Sequence, residues 1–465
     1  MGKLEEVASR AAQVRPTPRQ MAWQRLEYTA FAHFGVNTFT DREWGDGTED
    51  PAIFNPTELD AGQWAQACRD AGMKMLIVTA KHHDGFCLWP SARTEHSVKS
   101  SPWRGGKGDV VGEAAEACRQ AGLEFGVYCS PWDRHEPTYG DSPAYNEYFR
   151  NQLRELLTNY GKVAEVWFDG ACAEGPNGKR QEYDWGSYYK VARELQPEAV
   201  IAICGPDVRW VGNESGLGRE DEWSVVPAGA SSQDGIAANF ADLNAQDKDL
   251  GSRERLAQAA NAIWYPAECD VSIRPGWFYH ASQDLQVKSL DHLLDIYYRS
   301  VGRNSVLLLN VPPDRRGLFH QNDVARLKEL RSVLDATYGE DLAQGAAATA
   351  DSAAAAAANV VDGQWGTCWQ AADDTATIEL DLGAEKTFDR LLLQEPIEQG
   401  QQIERFALEG WHGREWKPIA SGGSVGYKRL ERFGAVTVQK VRLRIEQARS
   451  KPALRTVGLH LERGR

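Results

Sequence analysis

The chain has 465 residues, of which 42% are hydrophobic and 25% are charged, the balance of a globular protein with enough apolar surface for a sizeable core. This length suggests one large domain and a smaller one. The formal net charge of -14 repels phosphate backbones and anionic lipid surfaces, so the composition argues against nucleic-acid and membrane partners and favours small neutral ligands.

The eight cysteines are scattered along the chain, without a Cys-x-x-Cys pair. This spacing predicts buried free thiols rather than a disulfide framework or a zinc site. Residues 1–7 lack the apolar stretch of a signal peptide, and no apolar run approaches the ~20 residues of a membrane span. We expect a soluble protein that is either cytoplasmic or exported with its signal removed.

Apolar runs typical of β-strands alternate with amphipathic helical patterns through residues 1–340. The predicted strands are 31–37, 73–80, 123–129, 163–168, 199–204 and 305–311, and the predicted helices are 61–71, 109–121, 145–160, 185–195, 289–301 and 323–334. This alternation indicates a parallel sheet. Because no Gly-rich phosphate-binding turn follows the first strand, the pattern favours a (β/α)8-like TIM barrel over a doubly wound sheet. The Gly- and Trp-rich stretch 205–280 predicts enlarged loops around two or three short strands.

The composition changes after the barrel. Residues 345–359 are nearly all small and mostly alanine, which indicates a junction between a barrel domain (1–340) and a second domain (341–465). Beyond the junction, five runs alternate in period two without intervening helices; they are 376–382, 388–394, 405–410, 435–444 and 455–461. The second domain is therefore predicted to be an all-β sandwich.

Polar side chains follow the predicted barrel strands where each strand ends. Those ends carry His33, then 81–85 with its pair of histidines, then Tyr128, then Asp169. Asp169 directly follows a buried apolar run and precedes Gly170, which leaves room for a ligand. A capping Asp bonded to backbone amides is the structural alternative. Because functional groups of barrels lie at the carboxyl ends of the strands, four polar clusters at one mouth favour a functional site.

A carboxylate among His, Tyr and Trp side chains fits glycoside hydrolysis, which uses two carboxyl groups and binds sugars through polar and aromatic groups. Histidines and an Asp are also metal ligands, so a barrel metallohydrolase is an alternative. Such enzymes usually carry two histidines one residue apart on the first strand, whereas the corresponding partner of His33 is Gly35. His82 and His83 are adjacent, and adjacent strand residues point to opposite faces, so the two are a poor chelate unless the strand has already ended. We therefore expect neither a metal nor a cofactor.

These motifs resemble those of glycoside hydrolase family 29, the α-L-fucosidases. The matching segments occur in the family's order and cover most of residues 20–340; they are 32–39, 43–44, 81–86, 166–170, 275–279 and 304–310. The resemblance implies that Asp169 is the catalytic nucleophile. It also implies a fucose pocket lined by His33, Glu43, Trp44, His82, His83, Tyr128 and Trp277, although core packing is an alternative for Trp277.

The proton donor is assigned by the same resemblance. In the branch of the family that cleaves α-1,3- and α-1,4-linked fucose, the acid/base is a Glu soon after the fifth strand, and Glu214 fits that position. Glu220, Asp221 and Glu222 are alternatives. Glu214 lies between Trp210 and Trp223 in the sequence, and apolar surroundings of this kind keep a carboxylic acid protonated.

The resemblance thus implies a retaining exo-α-L-fucosidase that acts on fucosylated oligosaccharides or glycoconjugates through a covalent fucosyl-enzyme. A non-catalytic glycan-binding protein on a glycosidase-like barrel is the alternative. The second domain resembles discoidin-like, carbohydrate-binding-like modules attached to such enzymes. Its tryptophans (Trp365, Trp369, Trp411 and Trp416) are candidates for sugar binding, but we expect them mainly to pack.

Overall fold

A computed structural model describes residues 2–229 and 244–464 of the chain. The strands up to residue 340 are β1 (Tyr28–Ala32), β2 (Met75–Lys81), β3 (Glu124–Cys129), β4 (Glu165–Phe168), β5 (Val200–Ile203), β6 (Arg209–Trp210), β7 (Val225–Ala228), β8 (Asn261–Trp264), β9 (Ala267–Ser272) and β10 (Val306–Asn310). Eight of them form one parallel sheet in the order β5-β4-β3-β2-β1-β10-β9-β6. A bridge between Cys204 and Arg209 joins the two outermost strands. The sheet therefore nearly closes, and the predicted TIM-like barrel is confirmed.

The helices of this part of the chain are α1 (Lys3–Ala11), α2 (Pro18–Gln24), α3 (Val36–Thr40), α4 (Ala61–Asp70), α5 (Val110–Ala121), α6 (Ser142–Asn159), α7 (Trp185–Leu195), α8 (Arg253–Leu256), α9 (Leu290–Arg299) and α10 (Gln321–Tyr338). Local sequence sets their ends. Asp109 caps α5 by accepting a hydrogen bond from the Gly112 amide, and Gly122, with a φ of 71°, ends it. Within the described residues, no helix is long and apolar enough to cross a bilayer.

The first barrel strand ends earlier than the predicted strand 31–37. The His33 amide donates to Oδ1 of Asn310 at 3.2 Å, and the Phe34 amide donates to Oγ1 of Thr79 at 3.2 Å. Because side chains take these two amides, ladder pairing stops after Ala32, and the chain turns into α3. The residues from His33 onward are thus free to line the mouth of the barrel.

The barrel lacks part of its outer helical layer next to β5 and β6. Only residues 204–208, all of them described, connect these two strands. The described residues between β6 and β9 contain a β7–β8 hairpin and the short α8. The stretch 205–280 therefore holds four strands rather than the predicted two or three, and part of it, 230–243, lies outside the described residues.

The predicted second domain is antiparallel β-structure. Its strands are β11 (Ala347–Ala350), β12 (Trp369–Gln370), β13 (Ala376–Gln394), β14 (Ile403–Trp411), β15 (Trp416–Gly422), β16 (Arg429–Ala448), β17 (Ala453–Leu454) and β18 (Thr456–His460). The runs predicted at 376–382 and 388–394 belong to one strand, β13, whose register against β16 shifts twice. Such irregularities bend a strand, so β13 contributes along its whole length to one apolar core. The domain boundary at residue 340 stays a prediction.

The second domain packs against the segment that follows β6 and against the helices α9 and α10. An apolar cluster joins α1 and the β7–β8 hairpin to Ile397 and Tyr427 of the second domain. Asn304, held at a φ of 57°, links the two parts: its Nδ2 donates to the Glu222 carbonyl at 3.0 Å, and its Oδ1 accepts from the Tyr427 amide at 2.7 Å. The second domain is thereby fixed to the segment that follows β6.

Candidate active site

A cavity of about 380 Å³ opens at the carboxyl ends of the barrel strands. Polar and aromatic side chains from most strands of the barrel form its wall. It is lined by Phe31, His33, Glu43, Trp44, His82, His83, Tyr128, Trp167, Asp169, Gly170, Ala171, Ile203, Trp210, Glu214, Asp270 and Trp277. The cavity wall thus includes Asp169, Glu214 and all seven residues that the family resemblance assigned to the pocket.

Asp169 follows β4 directly and is 24% exposed at its side chain. Its Oδ1 accepts a hydrogen bond from the Ala171 amide at 2.7 Å, and its Oδ2 accepts one from the Tyr128 hydroxyl at 3.0 Å. The backbone-bonded role considered for this residue therefore coexists with its place in the cavity. The two donors fix the orientation of the Asp169 carboxyl group.

The three cavity histidines are buried and neutral. Burial lowers the pKa of His33 to about 4 and lowers the pKa values of His82 and His83 as well. Nδ1 of His33 lies 2.9 Å from Oδ1 of Asn310, an acceptor, so Nδ1 carries the proton and Nε2 is left as an acceptor. Neutral rings of this kind suit the hydroxyl groups of an uncharged ligand.

His82 and His83 lie just beyond the end of their strand, the case in which both can point the same way. The strand β2 ends at Lys81, so strand alternation no longer applies to them, and both rings line the cavity with centroids 4.1 Å apart. Within residues 2–229 and 244–464, no group of three or more His, Cys, Asp or Glu side chains is arranged to hold a metal ion.

Glu43 anchors the loop that carries Trp277. Its carboxylate accepts hydrogen bonds from the Trp277 amide at 2.7 Å and from the Phe278 amide at 3.2 Å. It also contacts Nε2 of His280 at 2.6 Å. Nδ1 of His280 contacts Asp41 at 2.8 Å, and these two carboxylates raise the pKa of His280 against the effect of burial. Sequence reasoning placed Glu43 in the pocket but missed His280, which no motif marked.

Two tryptophans, Trp44 and Trp277, contribute to the cavity wall. Trp44 is 55% exposed and packs edge-on against His83, with ring centroids 5.4 Å apart. Trp277 lies tilted against His33 at 5.1 Å, and its Nε1 donates to Glu214 at 3.3 Å. Trp277 is half-buried and faces the cavity, so it does more than fill the core.

Glu214 lies on the loop after β6, the sixth barrel strand rather than the fifth, because β5 and β6 are joined without a helix. The three alternative proton donors, Glu220, Asp221 and Glu222, do not line the cavity. Glu222 is buried in ion pairs with Arg209 and Arg219. Oδ1 of Asp221 accepts from the Ser424 amide at 2.9 Å, and the Glu220 carbonyl binds Arg429.

Trp223, which was expected beside Glu214 from its place in the sequence, contacts the second domain instead. Its ring centroid lies 3.7 Å from the guanidinium of Arg449. The side chains next to Glu214 are instead Trp277, which is distant in sequence, and Trp210 in the same loop region. Glu214 itself is exposed, so the structure does not show the apolar surroundings expected for it, and its indole contact comes from a residue that sequence proximity did not indicate.

Asp270 is a cavity residue that sequence reasoning missed. It lies on β9, is 4% exposed, and its Oδ1 accepts from Nε1 of Trp210 at 2.9 Å. Burial, followed by the charge of Glu214, raises its pKa well above the ordinary value. Glu268, Asp270 and Ser272 alternate along this strand, and that period-two pattern of polar residues was the available signal.

Comparison with known proteins decides the family. A family model described as "Alpha-L-fucosidase" matches residues 16–340, most of the chain. The chain belongs to the alpha-L-fucosidase family. It is a glycoside hydrolase, and a second model, "NedA-like, galactose-binding domain", matches residues 359–443 of this fucosidase.

Relatives match over nearly the whole fucosidase. The chain is 43% identical to "Putative alpha-L-fucosidase 1" of Oryza sativa subsp. japonica over 96% of its own length and 84% of that protein. A structure of a putative alpha-L-fucosidase from Bacteroides ovatus is 49% identical, covers 99% of this chain and 76% of that one, and has a TM-score of 0.89. A Ruminococcus gnavus GH29 fucosidase in complex with fucose is 32% identical, with coverage of 97% and 95% and a TM-score of 0.87.

Replacing Glu43 with alanine should free the loop that carries Trp277. We expect the fucosidase to lose roughly tenfold to hundredfold in kcat/KM on an aryl α-fucoside, because a displaced wall misorients the ligand. Hydrogen exchange at the Trp277 and Phe278 amides should accelerate. Asp41→Ala is the matched control, since Asp41 contacts His280 but neither amide. Equal losses in both variants would contradict the anchoring role.

Proposed function

We propose that this fucosidase is an exo-acting, retaining enzyme that removes terminal α-1,3- or α-1,4-linked L-fucose from branched glycans, with Asp169 as nucleophile and Glu214 as acid/base. The observation that carries the proposal is the placement of these two carboxyl groups, from β4 and from the loop after β6, in the wall of one cavity. Glycoside hydrolases use two carboxyl groups at one site, and in retaining enzymes one of them is the nucleophile.

In the first step, an oxygen of Asp169 attacks the anomeric carbon while Glu214 protonates the departing glycosidic oxygen. The bond to the leaving sugar breaks with its electron pair on that oxygen, and a fucosyl ester of Asp169 forms. Glu214 then removes a proton from water, which attacks the ester and releases α-fucose. The Tyr128 hydroxyl and the Ala171 amide hold the Asp169 carboxylate in position for the attack.

The wall of the cavity accounts for a preference for fucose. Neutral His33, His82 and His83 offer ring nitrogens to the sugar hydroxyls. Fucose carries a methyl group where galactose has a hydroxymethyl group, and the aromatic faces of Trp44 and Trp277 suit apolar C–H surface. The chemistry proceeds with side chains alone, without a metal or a redox cofactor.

The linkage preference is inferred from the position of Glu214, which resembles that of the α-1,3/1,4-cleaving branch. The exposed Trp44 at the rim offers a surface on which a sugar next to the fucose can stack. Fucosylated oligosaccharides or glycoconjugates with branches are therefore the proposed substrates.

Asp169→Asn should reduce kcat on an aryl α-fucoside by about 10³-fold or more, because it removes the covalent pathway. The melting temperature should stay near that of the wild type. Asp221→Asn, outside the cavity, is the control and should retain full activity. NMR of the wild-type reaction should show α-fucose as the first product; β-fucose would rule out retention.

Glu214→Ala should slow cleavage of a fucosylated trisaccharide by about 10²- to 10⁴-fold, the usual contribution of a general acid. The loss should be smaller on an aryl fucoside whose leaving group needs no proton. Azide should restore turnover and yield α-fucosyl azide, since it replaces the water that needs a base. Glu220→Ala serves as the control with normal activity. Absence of azide rescue in Glu214→Ala would assign the role to another residue.

A comparison of natural linkages tests the substrate proposal. We expect kcat/KM on Lewis-type trisaccharides with α-1,3- or α-1,4-linked fucose to exceed that on fucosyl-α-1,2-galactose by at least about tenfold, the discrimination available to a pocket that contacts the neighbouring sugar. Release of fucose can be followed by chromatography. Faster cleavage of the α-1,2 linkage would overturn the proposed preference.

A further inference from the structure

Asn310 is the last residue of β10 and is fully buried. It does not line the cavity, but it contacts two residues that do, His33 and Trp277. Its Oδ1 accepts a hydrogen bond from the His33 amide at 3.2 Å and lies 2.9 Å from Nδ1 of the same residue. Its Nδ2 donates to Oγ of Ser272 at 2.9 Å and to the Trp277 carbonyl at 2.7 Å. The carboxamide therefore uses both its lone pairs and both its N–H groups.

The partners of this carboxamide leave it one orientation. The His33 amide can only donate, and the Trp277 carbonyl can only accept. The Ser272 hydroxyl donates its proton to the Gly276 carbonyl at 2.7 Å, so towards Asn310 it acts as an acceptor. The amide nitrogen must therefore face Ser272 and Trp277, and the amide oxygen must face His33. Because an amide oxygen cannot donate, Nδ1 of His33 carries the ring proton.

The other ring nitrogen of His33 is open to the cavity. Within residues 2–229 and 244–464, the histidine nitrogens that are enclosed without a hydrogen-bond partner are Nδ1 of His82 and Nε2 of His96. Nε2 of His33 is neither enclosed in this way nor bonded to a described residue. In a neutral ring whose proton is on Nδ1, Nε2 presents a lone pair. A ligand group that bonds to it must supply a hydrogen.

The surroundings of the ring keep it neutral. Burial lowers the pKa of His33 to about 4, although the charge of Asp169 acts in the opposite direction. The groups that face the ring come from several elements: Tyr128 on β3, His82 and His83 after β2, Asp169 after β4, and Trp277 and Phe278 after β9. At neutral pH the ring therefore has one donor nitrogen and one acceptor nitrogen, and Asn310 determines which is which.

We propose that Asn310 is a positioning residue for the fucoside: it holds His33 as the Nδ1–H tautomer, so that Nε2 accepts a hydrogen bond from a sugar hydroxyl, and it ties this ring to the backbone of Trp277. The inference rests on the proposed binding of fucose in this cavity. Asn310 does not touch the sugar. It acts through His33 and Trp277, so one buried amide sets the polarity of a hydrogen-bonding group and the place of an aromatic wall.

A carboxylate at position 310 could not replace the amide. It would accept from Nδ1 of His33, but its charge would favour the doubly protonated ring, in which Nε2 is a donor. It would also lack the N–H groups that Ser272 and the Trp277 carbonyl receive. A neutral group that accepts on one side and donates on the other meets both needs.

The wild-type protein provides a test that requires no variant to fold. ¹⁵N NMR of histidine-labelled protein distinguishes a protonated ring nitrogen from a bare one, and the signals of His33 are assigned by their loss in His33→Gln. We expect a protonated Nδ1 and a bare Nε2 at neutral pH. Addition of L-fucose should shift the Nε2 signal. A proton on Nε2 in the free protein, or an unshifted signal with saturating fucose, would overturn the inference.

Asn310→Asp tests the same point by kinetics. The new carboxylate should raise the pKa of His33, so the acid limb of kcat/KM on an aryl α-fucoside should move up by about one pH unit or more. Below the new limb the rate should be at least about tenfold lower than in the wild type, since the ring has no acceptor nitrogen there. As the pH rises through the limb, Nε2 loses its proton and part of the rate should return.

Ser272→Ala is the matched control. It removes one acceptor of the Asn310 amide but leaves the contacts with His33 and with the Trp277 carbonyl. The His33 tautomer and the position of the acid limb should therefore stay as in the wild type. A moved limb in Ser272→Ala would show that any disturbance of this strand end has the same effect, and the specific role of Asn310 would be rejected.

The outcomes also separate the inference from the proposed mechanism. A loss of rate in Asn310→Asp that is uniform across pH, with an unmoved acid limb, would mean that Asn310 only supports packing. The nucleophile and the proton donor would then keep their roles. The appearance of β-fucose as the first product, by contrast, would remove the retaining mechanism, while the NMR signals of His33 in the free protein would still report the tautomer that Asn310 sets.

Discussion

The buried ion pair between Arg209 and Glu222 is the interaction on which the site depends. Both side chains are 1% exposed, and Arg219 joins them by contacting Glu222 at 3.0 Å and the Val211 carbonyl at 2.9 Å. Buried charges are tolerated only when they are paired and hydrogen-bonded. This network therefore fixes the two ends of the loop that carries Glu214. Without it, the barrel would hold Asp169 rigidly but leave the second carboxyl group on an unsupported loop.

Burial of the histidines in the cavity wall also determines how the stability of the folded protein depends on pH. In the unfolded chain His33 titrates near 6.5, whereas in the folded protein its pKa is about 4. The unfolded state thus binds more protons between these values, so stability falls as the pH drops from about 6.5 towards 4. Above that window each ring is neutral and offers one donor and one acceptor nitrogen, either of which can bond to a sugar hydroxyl. Burial of the histidines is therefore the common cause of their neutral form near pH 7 and of the loss of stability at acidic pH.

Local sequence patterns were sufficient to predict the barrel and the polar residues at the ends of its strands. The alternation of strands and helices gave the barrel, and polar residues at strand ends gave Asp169 and the histidines. The contacts that remained hidden are made through space: Trp277 beside Glu214, His280 on Glu43, and Asp270 under Trp210. The direct β5–β6 connection was also missed, because strands of four and two residues leave little periodic signal. Hydrogen bonds from side chains to the His33 and Phe34 amides ended β1 early, and no propensity predicts such bonds.

The second domain packs both against the segment that follows β6 and against the helices α9 and α10 of the barrel. Its tryptophans are largely committed to packing: Trp369 is buried, and Trp365 lies between the guanidinium groups of Arg25 and Arg455 at 4.9 and 4.1 Å. Two backbone amides of the second domain donate hydrogen bonds to the side chains of Asn304 and Asp221, which flank the ion pairs around Glu222. An open side of a barrel would expose apolar surface and free the loop after β6. Contacts from the second domain hold the segment 221–224 that ends this loop, so the domain supports the position of Glu214 from outside the cavity.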